Sequence, residues 1–565
     1  LIIEPNQSEW EAWLQKWFLP LLIPAILVNA GGLLIPILEP DGSLYATIAK
    51  TIARTGDFVN LRVEGKDWLD KPHFPFWMAA LSFRLLGTNA FAYKFPALLF
   101  WAAGGWYTWR LALSLYGKTI AQLSVLIYVS AAHLVISNND VRAEPYLTGL
   151  IIGSVYHFYR ASRSRPGIHL VIGSLLAACA AMTKGPFVLI TIGAGFLLDW
   201  ISGKEWDQFR NPRWWIAIAL TALFTLPEIV CLYLQFDLHP EKLVFGRTGV
   251  SGIRFFFWDS QFGRFFNTGP IKGSGDPFFY FHTLLWAFLP WSLLLYAAII
   301  QKCRRRRAFP GDLICLGAAA ASFIVFSLSR FQLPHYLNIL FPFFSILTAA
   351  WLHSVRRKGS QKAIRILQNG IALLLPFLLL GLCWLFCFDG WLLIMAGIAL
   401  LAITPFLIFR RPQLPASIIR SFWMALLVFS FVNFILYPAI LQYQAGTVAG
   451  NYLRDLSRPA QPVYLLQEAP VDYSFEFDSP NPVERIPIDS VHSLILAAQS
   501  PSPAPLLLVF APATFADSLA RHGLHATPIH TFPNFHISQL TGKFANYHTR
   551  TTVLTPWSLM EVGAK

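Results

Sequence analysis

A carboxylate acts as a general base only where it faces a reacting proton, and this 565-residue chain has just 30 acids among which to look. Asp41 stands out first. It sits in Glu39-Pro40-Asp41, directly after an apolar run at residues 17–38, where a carboxylate bordering a membrane needs a partner or a task. Two readings stay open: a base, or a helix N-cap that accepts backbone N–H bonds. Asp70 beside Lys71 is equally two-sided, as a surface ion pair or as an acid and a base held for chemistry. His239, His282 and His335 show no metal-motif spacing and read as interface hydrogen-bonding groups. The six cysteines, Cys179, Cys231, Cys303, Cys315, Cys383 and Cys387, fall in or beside apolar runs, so neither structural disulfides nor a zinc–thiolate site is expected.

The elements around these residues can be read from periodicity. After Asp41, the residues Leu44, Tyr45, Ile48, Ala49, Ile52 and Ala53 recur at helical spacing, with Lys50 and Arg54 on the other face and Gly56 as a stop. An amphipathic helix that starts just outside a span is expected to lie in the membrane interface. A second such element starts at Lys71-Pro72-His73 and runs through Phe76-Trp77 to Leu86. Together they would form a platform level with lipid phosphates.

The chain is 55% hydrophobic and 13% charged, a balance that excludes a water-soluble protein of this size. Apolar runs near residues 17–38, 91–113, 118–136, 145–161, 167–183, 186–202, 213–234, 279–301, 309–328, 334–354, 365–386, 390–409 and 418–438 predict a mainly α, polytopic membrane protein of about thirteen transmembrane helices. Residues 17–38 read as an anchor, not a cleaved leader. Five links carry the Lys and Arg excess: Arg160, Arg163 and Arg165; Lys204, Arg210 and Arg213; Lys302, Arg304, Arg305, Arg306 and Arg307; Arg356, Arg357, Lys358, Lys362 and Arg365; Arg410 and Arg411. The positive-inside rule makes them cytoplasmic and turns residues 39–90, 137–144, 183–185, 235–278 and the chain after about 441 outward. The net charge of +14 is thereby explained by topology, with no nucleic-acid partner. A division follows: residues 1–440 as the transmembrane domain and 441–565 as a small extracytoplasmic α/β domain. The latter has β-prone runs at 462–466 and 505–510 and a helix at 514–521, with Thr514 as cap and Gly523 just past the end.

The run Glu39-Pro40-Asp41-Gly42-Ser43-Leu44-Tyr45-Ala46, then Gly56-Asp57-Phe58, Gly65, Asp70-Lys71-Pro72 and Phe76-Trp77, resembles the first periplasmic loop of bacterial protein-mannosyltransferase-like and lipid A aminoarabinose-transferase-like enzymes. Thr183-Lys184-Gly185-Pro186, Arg264-Phe265, residues 277–292 and Leu333-Pro334-His335-Tyr336 continue the resemblance over most of the membrane part, and it fades after about 441. These are GT-C glycosyltransferases, which take a sugar from a polyprenyl phosphate. The resemblance implies Asp41 as the acceptor-activating aspartate, Asp70, Lys71 and Pro72 as the acid-Lys-Pro motif, and Glu144 as the second acid, with Asp140 competing. It implies Lys71, Lys184 and Arg264 as holders of the lipid phosphate and Tyr336 as a tyrosine near it. The chemistry agrees: cations stabilise the charge that grows on a phosphate leaving group, and a carboxylate accepts the proton of an attacking hydroxyl.

The implied partners are a polyprenyl-phosphate sugar donor, membrane lipids, and a lipid (lipid A or lipopolysaccharide), glycan or protein acceptor. The implied location is the bacterial inner membrane with the site facing the periplasm. Three departures bear on this. The family's Asp-Glu-x-Arg-Tyr reads Asp41-Gly42-Ser43-Leu44-Tyr45, its Glu-His reads Ser260-Gln261, and a Lys of its Lys-Leu-Pro becomes Gln332. The second removes a His able to ligate metal, so a divalent ion is left possible but disfavoured and no other cofactor is assigned. The competing reading is a multi-span lipid or sugar transporter or flippase, for which internal repeats and midplane breaks would be the sign. A relative that keeps the fold for lipid binding alone is a third.

Overall fold

The protein is described here by a computed structural model covering residues 5–163, 167–304, 312–456, 462–497 and 507–564. Arg165, Arg305, Arg306, Arg307, Pro505 and Leu506 lie outside the described residues. Among the described residues, seven helices are long and apolar enough to cross a membrane: Glu9–Leu34, Gly167–Lys184, Pro212–Asp237, Pro334–Ser354, Lys358–Phe386, Trp391–Ile408 and Leu414–Tyr443. An eighth is reached only if Lys118–Val129 and Ala132–Asn139, bent by 51° at their junction, are taken as one. The expected thirteen is therefore corrected to seven or eight.

The excess has physical causes. Val188–Gly203 has 16 residues and spans about 24 Å at about 1.5 Å per residue, less than the roughly 30 Å hydrocarbon layer. The run at 279–301 divides into Phe279–Ala287 and Ser292–Arg304. Ala90–Tyr116 is long, but Lys94, Arg110 and several Trp, Tyr and Gly residues lower its hydropathy. Glu144–Arg163 is packed around nearly its whole circumference by protein, so Ser154 and His157 are buried there without facing lipid.

The chain after residue 445 contains a five-stranded sheet. Strands Val483–Ile486, Val463–Leu466 and Leu507–Pro512 lie parallel, and Thr555–Ala564 and Leu524–Asn534 continue it antiparallel. The helix Phe515–Arg521 follows the third of these, with Thr514 at its N-cap position but without a side-chain capping bond. The buried residues Leu466, Val509, Leu519, Leu524, Met560 and Val562 form one core beneath it.

The outer segment after the first span is shaped by three fastenings. Lys94 is buried and donates to the carbonyls of Gly32, Ile35 and Pro36 at 3.1, 2.8 and 3.2 Å, satisfying acceptors left open where the first span ends. Helix Asp41–Thr55 follows and closes on Gly56 at φ +77°. On its polar face Lys50 is covered by protein, while Arg54 is exposed. Lys50 donates to the carbonyls of Glu476, Phe477 and Ser479 at 2.9, 2.8 and 3.3 Å, the last turn of helix Tyr473–Asp478. The third fastening is His73, fully buried at the start of helix Phe74–Leu86. Its backbone N–H and Nδ1 both meet the buried Glu228 at 3.0 Å.

Candidate active site

Asp41 is the first residue of its helix, and Pro40 holds the N-cap position. Its carboxylate does not cap the helix. It accepts from Arg142 Nη1 at 2.6 Å, and the same guanidinium reaches Asp140 at 2.9 and 3.1 Å. Burial raises the Asp140 carboxyl, opposed by Arg142. Burial in turn works against the Arg142 charge, yet Asp140 and Asp41 together push its pKa up. No motif in the sequence singles out Arg142, although it lies between Asp140 and Glu144 in the link at 137–144.

Glu144 begins the next helix with its side chain only 2% exposed, and it accepts a hydrogen bond from Lys184. His335 Nε2 stands 3.7 Å from the same carboxylate oxygen. The Lys184 ammonium lies 3.7 Å from the centre of the Tyr336 ring, a cation–π contact that fixes its direction. Asp70 receives Lys71 Nζ at 2.7 Å and also accepts from Arg264. Burial alone would raise the Asp70 carboxyl, but Lys71 and Arg264 hold it below its usual range.

Lys71, Lys184 and Arg264 thus come from three distant stretches and line one pocket with Asp70. Lys184 and Arg264 also border an adjoining cavity of about 80 Å³, walled by Phe187, Phe265, Phe326, Phe331 and Tyr336. Buried Tyr45 is within electrostatic reach of Asp41, Asp70, Arg142 and Glu144. His239 is exposed and pairs with Glu241, and His282 packs on Phe279; neither is among the residues lining the two pockets. Among the described residues, no group of three or more His, Cys, Asp or Glu side chains could hold a metal ion.

The departures have structural places. A Cβ on Gly42 would stand 3.3 Å from Asp140 Oδ1, so an acid there would add a third carboxylate to the Asp41–Asp140 pair. Gln261 donates to the Lys184 carbonyl at 3.4 Å and packs on Gly185, whose φ of +102° and lack of Cβ admit it. Gln332 donates to the carbonyls of Phe326 and Ser327 and accepts from the Asp276 N–H, which ties two outer segments together.

Residues 70–230 match the profile of the family described as dolichyl-phosphate-mannose-protein mannosyltransferase. A curated relative from Edwardsiella ictaluri, an undecaprenyl phosphate-alpha-4-amino-4-deoxy-L-arabinose arabinosyl transferase, is 27% identical over 60% of this chain. The chain spans 59% of that relative's length. An uncharacterized protein of Aquifex aeolicus is 26% identical over 78% of this chain and 83% of its own. The crystal structure of ArnT from Cupriavidus metallidurans bound to undecaprenyl phosphate superposes with a TM-score of 0.73 at 17% identity, covering 97% of this chain and 98% of that one. The fold is thus shared end to end.

Proposed function

We propose that this chain, related in sequence and in GT-C fold to the polyprenyl-phosphate-sugar transferases, is an integral-membrane glycosyltransferase that works on the periplasmic face of a bacterial inner membrane. The observation that carries the reading is the convergence of Lys71, Lys184 and Arg264 on one pocket beside an aromatic-walled cavity. Three cations within reach of one another repel, and Asp70 and Glu144 offset only part of that charge. Such a site is completed by an anion with an apolar tail, as a polyprenyl phosphate is.

In the proposed reaction the acceptor oxygen attacks the anomeric carbon of the donor. The bond from that carbon to the phosphate oxygen breaks, and its electron pair leaves with polyprenyl phosphate. Lys71, Lys184 and Arg264 stabilise the charge that grows there. Asp41 takes the proton of a hydroxyl acceptor. It is the better choice over Glu144 because, with each acid paired to one cation, the Asp41 side chain is 38% exposed and that of Glu144 only 2%. Glu144 and Tyr336 then orient Lys184, and Asp70 orients Lys71 and Arg264. An acceptor that is already an ionised phosphate would need no base.

The relatives' names suggest undecaprenyl phosphate 4-amino-4-deoxy-L-arabinose as the first donor to test, with a polyprenyl-phosphate hexose beside it. Purified protein is given each donor, with and without membrane extract, and polyprenyl phosphate release is measured. Release that requires the extract supports transfer to an acceptor; no release from any donor refutes the reading. A chelator arm tests for a metal: abolition that is restored by an added divalent ion assigns one.

A further inference from the structure

At the opposite end of the first span, a second cavity of about 600 Å³ opens beside the link between Trp391–Ile408 and Leu414–Tyr443. That volume falls in the range of small-ligand pockets, about 300–1,000 Å³. Its charged lining is lopsided: Lys16, Arg410 and Arg411 against Glu9 alone. No ion pair joins Lys16, Arg410 or Arg411 to an acid among the described residues. Two tryptophans, Trp13 and Trp17, complete the wall and pack on Phe409 at 5.6 and 4.9 Å.

The link is held in place. Arg420 donates to the Phe409 carbonyl, Arg365 to the Pro412 carbonyl, and Arg410 Nε to the Leu407 carbonyl at 3.0 Å. Arg410 and Arg411 therefore sit on a link whose backbone is fastened on both sides, at Phe409 and Pro412. Beyond them the surface turns apolar and exposed: Leu19 and Ile23 continue the Lys16 face of the first span, and Leu401 and Ile408 continue toward the link. A ligand for this place has an anionic head and apolar chains running along the protein's lipid-facing side.

We propose that this cavity holds the head group of an anionic glycerophospholipid of the cytoplasmic leaflet. The positive-inside reading puts Arg410 and Arg411 on that side. The tryptophans suit the boundary between head group and chains, where one edge of the ring is wet and the other apolar. Lys16 carries its cation at the level of the phosphate while its stem lies along the wall. The lipid would brace the first span against the last two, independently of the transfer reaction.

The test uses the full chain, delipidated in detergent and titrated with tetraoleoyl diphosphatidylglycerol or dioleoyl phosphatidylcholine under native mass spectrometry. The anionic lipid is expected to bind roughly tenfold or more tighter, and K16Q/R410Q/R411Q to lose roughly 100-fold at about fivefold per cation. K16R/R410K/R411K keeps the charge and should keep the affinity. If the triple Gln variant aggregates, Lys16→Gln alone should bind about fivefold more weakly. Equal affinity for the two lipids, or unchanged binding by the Gln variant, overturns the assignment. So does an equal loss in an Arg356→Gln/Arg357→Gln control, or a protein dimer that forms in place of lipid binding.

Discussion

Removing Lys184 should do two separable things. Its ammonium is the partner of Glu144, whose side chain is 2% exposed, so Lys184→Met leaves a buried carboxylate without its cation. Breaking one side of a buried pair costs about 3–5 kcal/mol. The double variant Glu144→Gln/Lys184→Met removes both charges and should recover a large part of that loss, measured as thermal unfolding in one detergent. The rate behaves differently. Losing one preorganised group that stabilises the leaving phosphate lowers kcat about 10²–10³-fold. If Glu144 acts only by orienting Lys184, the double variant turns over within about twofold of Lys184→Met, because nothing remains to orient. Polyprenyl phosphate release under saturating donor reads this directly. A double variant slower by the product of the two single losses would show Glu144 doing chemistry of its own and rule out a purely orienting role.

Arg142→Ala leaves Asp41 and Asp140 facing each other without the guanidinium that joins them, so one carboxyl should hold its proton to higher pH. The acid limb of the pH–rate profile is expected to move upward, and Arg142→Lys to return it part of the way. Gly185→Ala places a Cβ 2.0 Å from Gln261 Nε2 at φ +102° and should destabilise by about 1–3 kcal/mol in thermal unfolding, with partial relief by Gln261→Ala. At the contact made by Lys50, burial pushes Glu476 up to about 7 and Asp478 up to about 6. The folded contact therefore keeps protons that the open form releases at lower pH, and its stability falls as pH rises through 6 and 7. Burial lowers Lys50 to about 8, and this group regains stability only above that value. Limited proteolysis near residue 473 should thus be faster at pH 7.5 than at pH 5.5, and flatter in Glu476→Gln; a rate independent of pH in the unsubstituted chain would contradict this.

Composition and run length disclosed that the chain belongs in a membrane, but they overcounted its long spans. An apolar run reads alike whether its helix faces lipid or, as at Glu144–Arg163, other helices. Nor does a run announce a bend such as the one after Val129. The candidate residues Asp41, Asp70, Lys71, Glu144, Lys184, Arg264 and Tyr336 follow from the family resemblance; the structure brings Asp70, Lys71, Lys184, Arg264 and Tyr336 to two adjoining pockets and pairs Glu144 with Lys184. Their pairing was not legible. Arg142 joins Asp41 to Asp140 across about a hundred residues of chain, and spacing carries no such information. The same holds for Lys50, which periodicity places on a polar helix face and which donates to carbonyls of helix Tyr473–Asp478, more than 400 residues along the chain. Lys94 and Glu228 are further cases: charged residues within apolar runs whose partners are backbone carbonyls and His73.

In the proposed reaction Asp41 takes the acceptor's proton while Lys71, Lys184 and Arg264 receive the leaving phosphate. The direct measurement is single-turnover release of polyprenyl phosphate by the unsubstituted chain, Asp41→Asn and Glu144→Gln, with a polyprenyl-phosphate sugar and a hydroxyl acceptor. Asp41→Asn should bind the donor normally and release it about 10²–10⁴-fold more slowly. Turnover retained in Asp41→Asn, whatever Glu144→Gln does, would contradict the assignment of the base.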